Sequence, residues 1–164
     1  MRVTHLLGWG VLLATSSTLA ADEPARIVRA VLPGTTTTVV VAEGQFEPRS
    51  VGSYSLRIYA GANPRFPYDD FIAGTVRQRD GVVESVVFSD INGDRALEIV
   101  VIMRSAGTGN YRSADAFDFQ GNILSLIESV AGLAKDADPV RALAAKVTNY
   151  AEPPAAPDAS QPRR

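Results

Sequence analysis

The feature that most constrains this chain is a succession of short, strand-length runs, each closed off by glycine, proline or asparagine. "RIVRAVLP" and "TTTTVVVAEG" are rich in β-branched residues and are separated by Pro33 and Gly34. "SYSLRIYAG" alternates, with Tyr54, Leu56 and Ile58 on one face and Ser55 and Arg57 on the other. "FIAGTVRQRDGVVESVVF" reads as a hairpin turning at Asp80-Gly81, after the proline-bearing loop "GANPRFPYDDF". "ALEIVVIM" is a nearly continuous apolar run, the pattern of a central strand. Beyond it, Tyr111, Ser113, Asp115, Phe117 and Phe119 fall on one side of a further strand.

The pattern changes near Gly121. In "NILSLIESVAGLAK", Leu124, Ile127 and Ala131 fall at helical spacing. "DPVRALAAKVTNY" has Asp138 as N-cap, Pro139 in the first turn, and a stripe of Val140, Leu143, Ala144 and Val147. Strands first and helices last give a mainly β chain: an antiparallel β-sandwich or barrel-like domain with a small C-terminal helical segment. The expected organisation is a signal peptide over 1–21, one domain over 22–150 and a disordered proline- and alanine-rich tail over 151–164.

The amino terminus points to export, with an uncleaved amphipathic anchor as the alternative reading. Arg2, the apolar run Leu6 to Leu13 and the small residues leading to "TLAAD" form a secretory signal, cleaved after Ala20 or Ala21. The run is too short and too weakly apolar for a membrane span, and a lipid anchor would need a cysteine, of which there is none. The expected location is the periplasm, or the extracellular space. Cleavage removes Arg2 and His5, leaving 15 basic residues (one fewer than the full 16) against 18 acidic ones, a charge of −3. With neither histidine nor cysteine, the mature chain has no material for thiolate or Ser-His-Asp catalysis, or for imidazole or thiol metal sites. Mild acidity also disfavours nucleic acid as a partner.

Three stretches remain that can carry chemistry. In "DINGDRALE", Asp90, Asn92, Asp94 and Glu98 have the alternate spacing of calcium ligands. An EF-hand loop wants glycine where Arg95 stands, and no helix pattern follows, so a polar turn built on Asn92-Gly93 competes with calcium. Asp69, Asp70, Asp115 and Asp118 could supply the paired carboxylates of a glycan hydrolase, against the alternative of solvated charges on loops and strand faces. The third stretch is "RSAGTGNYRSADAF", whose glycines and small polar residues exceed what a tight hairpin needs. Gly107 and Gly109 would relieve strain in a wide connection, and Arg104 and Arg112 at its ends would be solvated strand-end charges.

From "VVVAEGQFEPRSVGSYSLRIY" through "FIAGTVRQRDG" and "DINGD" to "RSAGTGNYRSADAF", about residues 39 to 120, the chain resembles the periplasmic inhibitors of invertebrate-type (i-type) lysozyme. The resemblance implies a β-sandwich or barrel-like protein, not an enzyme, whose Ser-Gly-x-Tyr loop enters the lysozyme cleft and blocks its catalytic carboxylates. It implies service in bacterial defence against innate immunity, no cofactor, and a homodimer, which the "EIVVIM" strand could support if exposed, although burial is the expected place for so apolar a run. The matching residues are Thr108, Gly109, Asn110 and Tyr111, with Arg104, Ser105, Gly107 and Arg112 as flanking contacts. Thr108 stands where the motif has serine; its hydroxyl is kept, while the β-branch adds a methyl and stiffens χ1.

Overall fold

The computed structural model describes residues 26–151. The expected signal peptide and the tail beyond Ala151 lie outside these residues. Eight strands precede one helix: β1 (Ile27–Val31), β2 (Thr38–Glu43), β3 (Val51–Tyr59), β4 (Phe71–Asp80), β5 (Val82–Ser89), β6 (Glu98–Arg104), β7 (Arg112–Gln120), β8 (Ile123–Leu133) and α1 (Pro139–Ala151). They form two four-stranded antiparallel sheets in the orders β1-β2-β3-β4 and β5-β6-β7-β8. The expected β-sandwich with a small C-terminal helix is therefore the observed architecture, as two open sheets and no closed barrel.

Side-chain alternation explains the layering. On β3, Tyr54, Leu56 and Ile58 are fully buried and meet Val39 and Val41 of β2 and Ile99, Val101, Met103 and Phe117 of the second sheet. The other face of the second sheet offers Val100, Ile102, Ala114 and Ala116, which Leu143 of α1 covers with Val140, Ala144 and Val147. β6 is thus buried on both faces, which is why its sequence is apolar without alternation. Lying between β5 and β7, it is not available as an exposed surface for dimerisation. Asp138 caps the helix by accepting from the amides of Val140 at 2.9 Å and Arg141 at 3.3 Å.

Three expectations are corrected. Asp80-Gly81 is not a hairpin turn, because β4 and β5 belong to different sheets. Asp80 pairs with Val51, Val82 pairs with Arg104, and the chain crosses between layers at Gly81. An Asp-Gly pair specifies positive φ, here +89° at Gly81, but not which strands hydrogen-bond. Any Cβ there would lie 1.9 Å from the Arg104 carbonyl oxygen, so only glycine fits the crossing. Arg79, 1% exposed, locks it by donating to the carbonyls of Ser53 (3.2 Å), Arg49 (3.1 Å), Pro48 (3.2 Å) and Gly81. The Glu43 and Glu47 carboxylates lie 3.9 and 3.8 Å from it and balance its charge.

The second correction concerns 123–133, which is strand β8 rather than helix. The turn before it places Gly121 (φ +57°) and Asn122 (φ +68°) in the left-handed region, as a two-residue type I′ hairpin requires. Phe117 pairs with Leu126 and Ala116 with Glu128, so Ile127 is an inserted bulge residue. That extra residue converts alternation into the three-residue step that mimics a helix.

The third is Asp115, which is not a solvated charge. It is 5% exposed and bridges the two sheets, accepting from the Tyr54 hydroxyl at 2.5 Å, the Ser129 hydroxyl at 2.6 Å and Arg77 Nε at 3.4 Å. Burial first, then the Asp115 charge, pushes the Tyr54 phenol far above its ordinary range, so it remains a donor.

Candidate functional site

The β6–β7 connection is a short loop on a braced stem. Arg104 and Arg112 form the last register pair, and the Ser105 amide donates to the Tyr111 carbonyl at 2.8 Å to close the base. At the tip the Asn110 amide donates to the Gly107 carbonyl at 3.2 Å, closing a β-turn. Residues 106–111 are all exposed. The left-handed residue is Asn110, at φ +47°; asparagine tolerates that region better than most residues. Neither Gly107 nor Gly109 has positive φ, so the expected strain relief by these two glycines is not their role. Gly107 has open space around it, whereas a Cβ on Gly109 would lie 2.3 Å from Tyr111 Cε2. Gly109 is therefore the flat seat on which the Tyr111 ring rests.

Tyr111 is 55% exposed and does not turn into the domain's own interior. Among the described residues, its hydroxyl and that of Thr108 have no hydrogen-bond partner. Beside the ring, Asp80, Ser105, Tyr111, Arg112, Ser113 and Gly132 line a small cleft of about 100 Å³.

Arg104 and Arg112 are not solvated strand-end charges. Both donate to Glu84 of β5, Arg112 through Nη2 at 3.0 Å and Nε at 3.3 Å, and Arg104 through Nη2. Arg112 Nη1 also donates to the Ala137 carbonyl at 3.3 Å. Burial works against ionisation of Glu84, but the bonds from Arg112 and Arg104 outweigh it and hold the carboxyl below its ordinary value. Sequence reading missed Glu84 because nothing in "VVESVVF" signals that it reaches two strands away.

The "DINGD" connection is arranged differently. Asp90 accepts from the amides of Gly93 at 2.6 Å and Arg95 at 3.0 Å. Asn92 Oδ1 accepts from the Asp94 amide at 2.8 Å, and Asp94 Oδ1 accepts from the Ala96 amide at 2.7 Å. Glu98 is fully buried; its Oε2 accepts from the Ile91 amide at 2.6 Å, while Oε1 has no partner. Burial, with the nearby Asp94 and Asp90 charges, raises the Glu98 carboxyl above its ordinary range despite the Ile91 bond. Among the described residues, no three His, Cys, Asp or Glu side chains are grouped so as to hold a metal. The arrangement is a polar turn in which Asp90, Asn92 and Asp94 accept from the loop's own amides. The acidic set is likewise dispersed in role. Asp69 and Asp70 stand exposed on the β3–β4 connection, Asp118 is half-buried on β7, and Asp115 is consumed by the inter-sheet bridge.

Comparison with known proteins gives the family. The family model described as periplasmic lysozyme inhibitor of I-type lysozyme matches residues 25–147. The crystal structure of PliI-Ah, such an inhibitor from Aeromonas hydrophila, is 44% identical with a TM-score of 0.66, covering 72% of this chain and 98% of that one. The structure of Aeromonas hydrophila PliI in complex with Meretrix lusoria lysozyme matches at 44% identity and a TM-score of 0.66, covering 72% of this chain and 94% of that one. A comparison with curated proteins found no match. With the family model spanning most of the chain, and both sheets and the helix lying within its bounds or nearly so, this chain belongs to the family of periplasmic lysozyme inhibitors of I-type lysozyme.

Proposed function

We propose that this inhibitor blocks I-type lysozyme by inserting the loop 106–111 into the enzyme's active-site cleft, with Tyr111 as anchor and Thr108, Gly109 and Asn110 as its companions. The observation behind this reading is an aromatic alcohol standing exposed on a closed, braced loop, with no partner among the described residues. A glycan-cleaving cleft holds two carboxyl groups, one protonated and one ionised during its cycle. A phenol and a threonine hydroxyl each donate and accept, so they can satisfy a carboxyl in either state. Two backbone bonds already close the loop in the free protein, which lowers the ordering entropy that opposes binding. Arg104, Ser105 and Arg112 then act chiefly from behind the tip, as its frame, while Gly107 opens the tip turn itself. No covalent step and no cofactor enter this mode of inhibition.

The test is a cell-wall lysis assay with i-type, c-type and g-type lysozymes, in which wild type is expected to slow the i-type enzyme. Tyr111→Ala should relieve most of that inhibition, since an aromatic anchor at an interface centre is worth about 2 kcal/mol or more, roughly thirtyfold. Undiminished inhibition by Tyr111→Ala would refute the loop as the inhibitory element.

A further inference from the structure

We propose that Glu84 is the positioning residue of the inhibitory loop, clamping both strands of its stem through Arg104 and Arg112. The inference rests on the loop reading above and adds the residue that makes it rigid. Three observations converge on it.

The first is a conflict built into the stem. Arg104 and Arg112 are directly opposed in the register between β6 and β7, at the last pair before the loop begins. Like charges directly opposite destabilise a strand pair, so this stem left alone would fray where the loop needs support. The second is a bulge. Val83 pairs with Met103 and Ser85 with Ile102, which leaves Glu84 as the inserted, unpaired residue of β5. A bulge re-aims the side chain it inserts. Here it sends a carboxylate from β5 past its neighbour β6 to a residue of β7.

The third is the use of both oxygens. Glu84 Oε1 accepts from Arg104 Nη2 and, at 3.0 Å, from Arg112 Nη2, while Oε2 accepts from Arg112 Nε at 3.3 Å. The grip on Arg112 is two-pronged, the arrangement that fixes direction as well as distance. All three side chains are less than a third exposed, so solvent screens them less than an open surface pair. Arg112 extends the clamp through Nη1 to Ala137, next to the helix cap Asp138.

Electrostatics and positioning make opposite predictions for Glu84→Gln. This change removes one negative charge beside a loop that enters a cleft holding carboxylates, so charge alone would tighten inhibition. The clamp predicts weaker inhibition. The experiment uses the full chain with two readouts. In the free protein, hydrogen exchange at the Ser105 and Asn110 amides should accelerate about tenfold or more in Glu84→Gln, with the β2–β3 amides unchanged. Against i-type lysozyme, inhibition should weaken by about tenfold or more. Adding Arg104→Gln to Glu84→Gln removes the opposed charge and should restore part of both effects. Arg112→Lys, which keeps the charge but loses the fork, gives a second variant should Glu84→Gln fold poorly, with an intermediate loss expected.

Unchanged loop exchange overturns the proposal, as does inhibition that stays equal or tightens, even where exchange is faster. The exchange readout needs no lysozyme, so it judges the clamp separately from the insertion reading, which Tyr111→Ala tests.

Discussion

The connections entering and leaving β6 are built from similar residues and do opposite things. Before β6, Asp90, Asn92, Asp94 and one oxygen of Glu98 accept from the amides of their own loop. After β6, Gly107 to Tyr111 leave the threonine and tyrosine hydroxyls unspent, and order comes from behind, through a closing amide bond and the Glu84 clamp. A loop that satisfies itself is a structural brace. A loop held rigid by others keeps its chemistry for a partner. Glycine and asparagine content does not separate the two; the destination of the polar atoms does.

This contrast can be broken most decisively at its exposed end. Tyr111→Ala should abolish most inhibition while leaving the melting temperature within about a degree of wild type, because no core contact is lost. A melting temperature several degrees lower would mean that the ring holds the fold as well. Gly109→Ala should come next in effect. The new methyl displaces the Tyr111 ring from its seat, and inhibition should fall severalfold in a lysis assay with stability kept. Inhibition equal to wild type would show that the ring's resting place does not matter.

The other loop should behave inversely. Asp90→Ala hands the exposed amides of Gly93 and Arg95 to water and should cost about 1 kcal/mol by chemical denaturation, with the inhibition constant preserved in the folded fraction. The smallest effect is the sharpest in sign. Glu98 has its carboxyl raised above the unfolded value, so the fold favours the protonated form. That contribution is present below the ordinary glutamate pKa and is lost as pH rises through the folded value. Glu98→Gln cannot ionise. It should match wild type near pH 4 and melt higher than wild type at neutral pH, in melts recorded across that window. A Gln variant less stable than wild type at neutral pH would mean the negative charge is needed, as a bound cation would require.

Much of the layering was legible because it is local. Tyr54, Leu56 and Ile58 alternate, the apolar run of β6 signals burial on both faces, and the stripe from Val140 to Val147 with its Asp138 cap is a complete helix signature. Elsewhere a local signal pointed the wrong way. The bulge at Ile127 shifted β8 onto helical spacing, while the Gly121-Asn122 pair that announces a hairpin went unread. Asp115 could not be recognised as buried, because Tyr54 and Arg77 reach it from the other sheet and Ser129 from the next strand. The β6–β7 connection was legible as a loop from its glycines, and the role proposed for it comes from family resemblance. Its support was not, since the bulge at Glu84 exists only once β5 is laid against β6.

Each sheet is one unbroken stretch of sequence, and every strand pairs only with its immediate predecessor or successor. No backbone ladder therefore has to wait for a distant segment to arrive. Closing each hairpin spans only its own connection, and closure entropy grows slowly with that length. Each half of the molecule can pair its strands from its own turns, and the contacts of long sequence separation are left to the packing of one sheet on the other across Gly81. The Tyr54–Asp115 bond joins one sheet to the other, so it can form only when the two faces have met, whereas the bonds of Arg79 to Pro48, Arg49 and Ser53 lie within the first half of the chain.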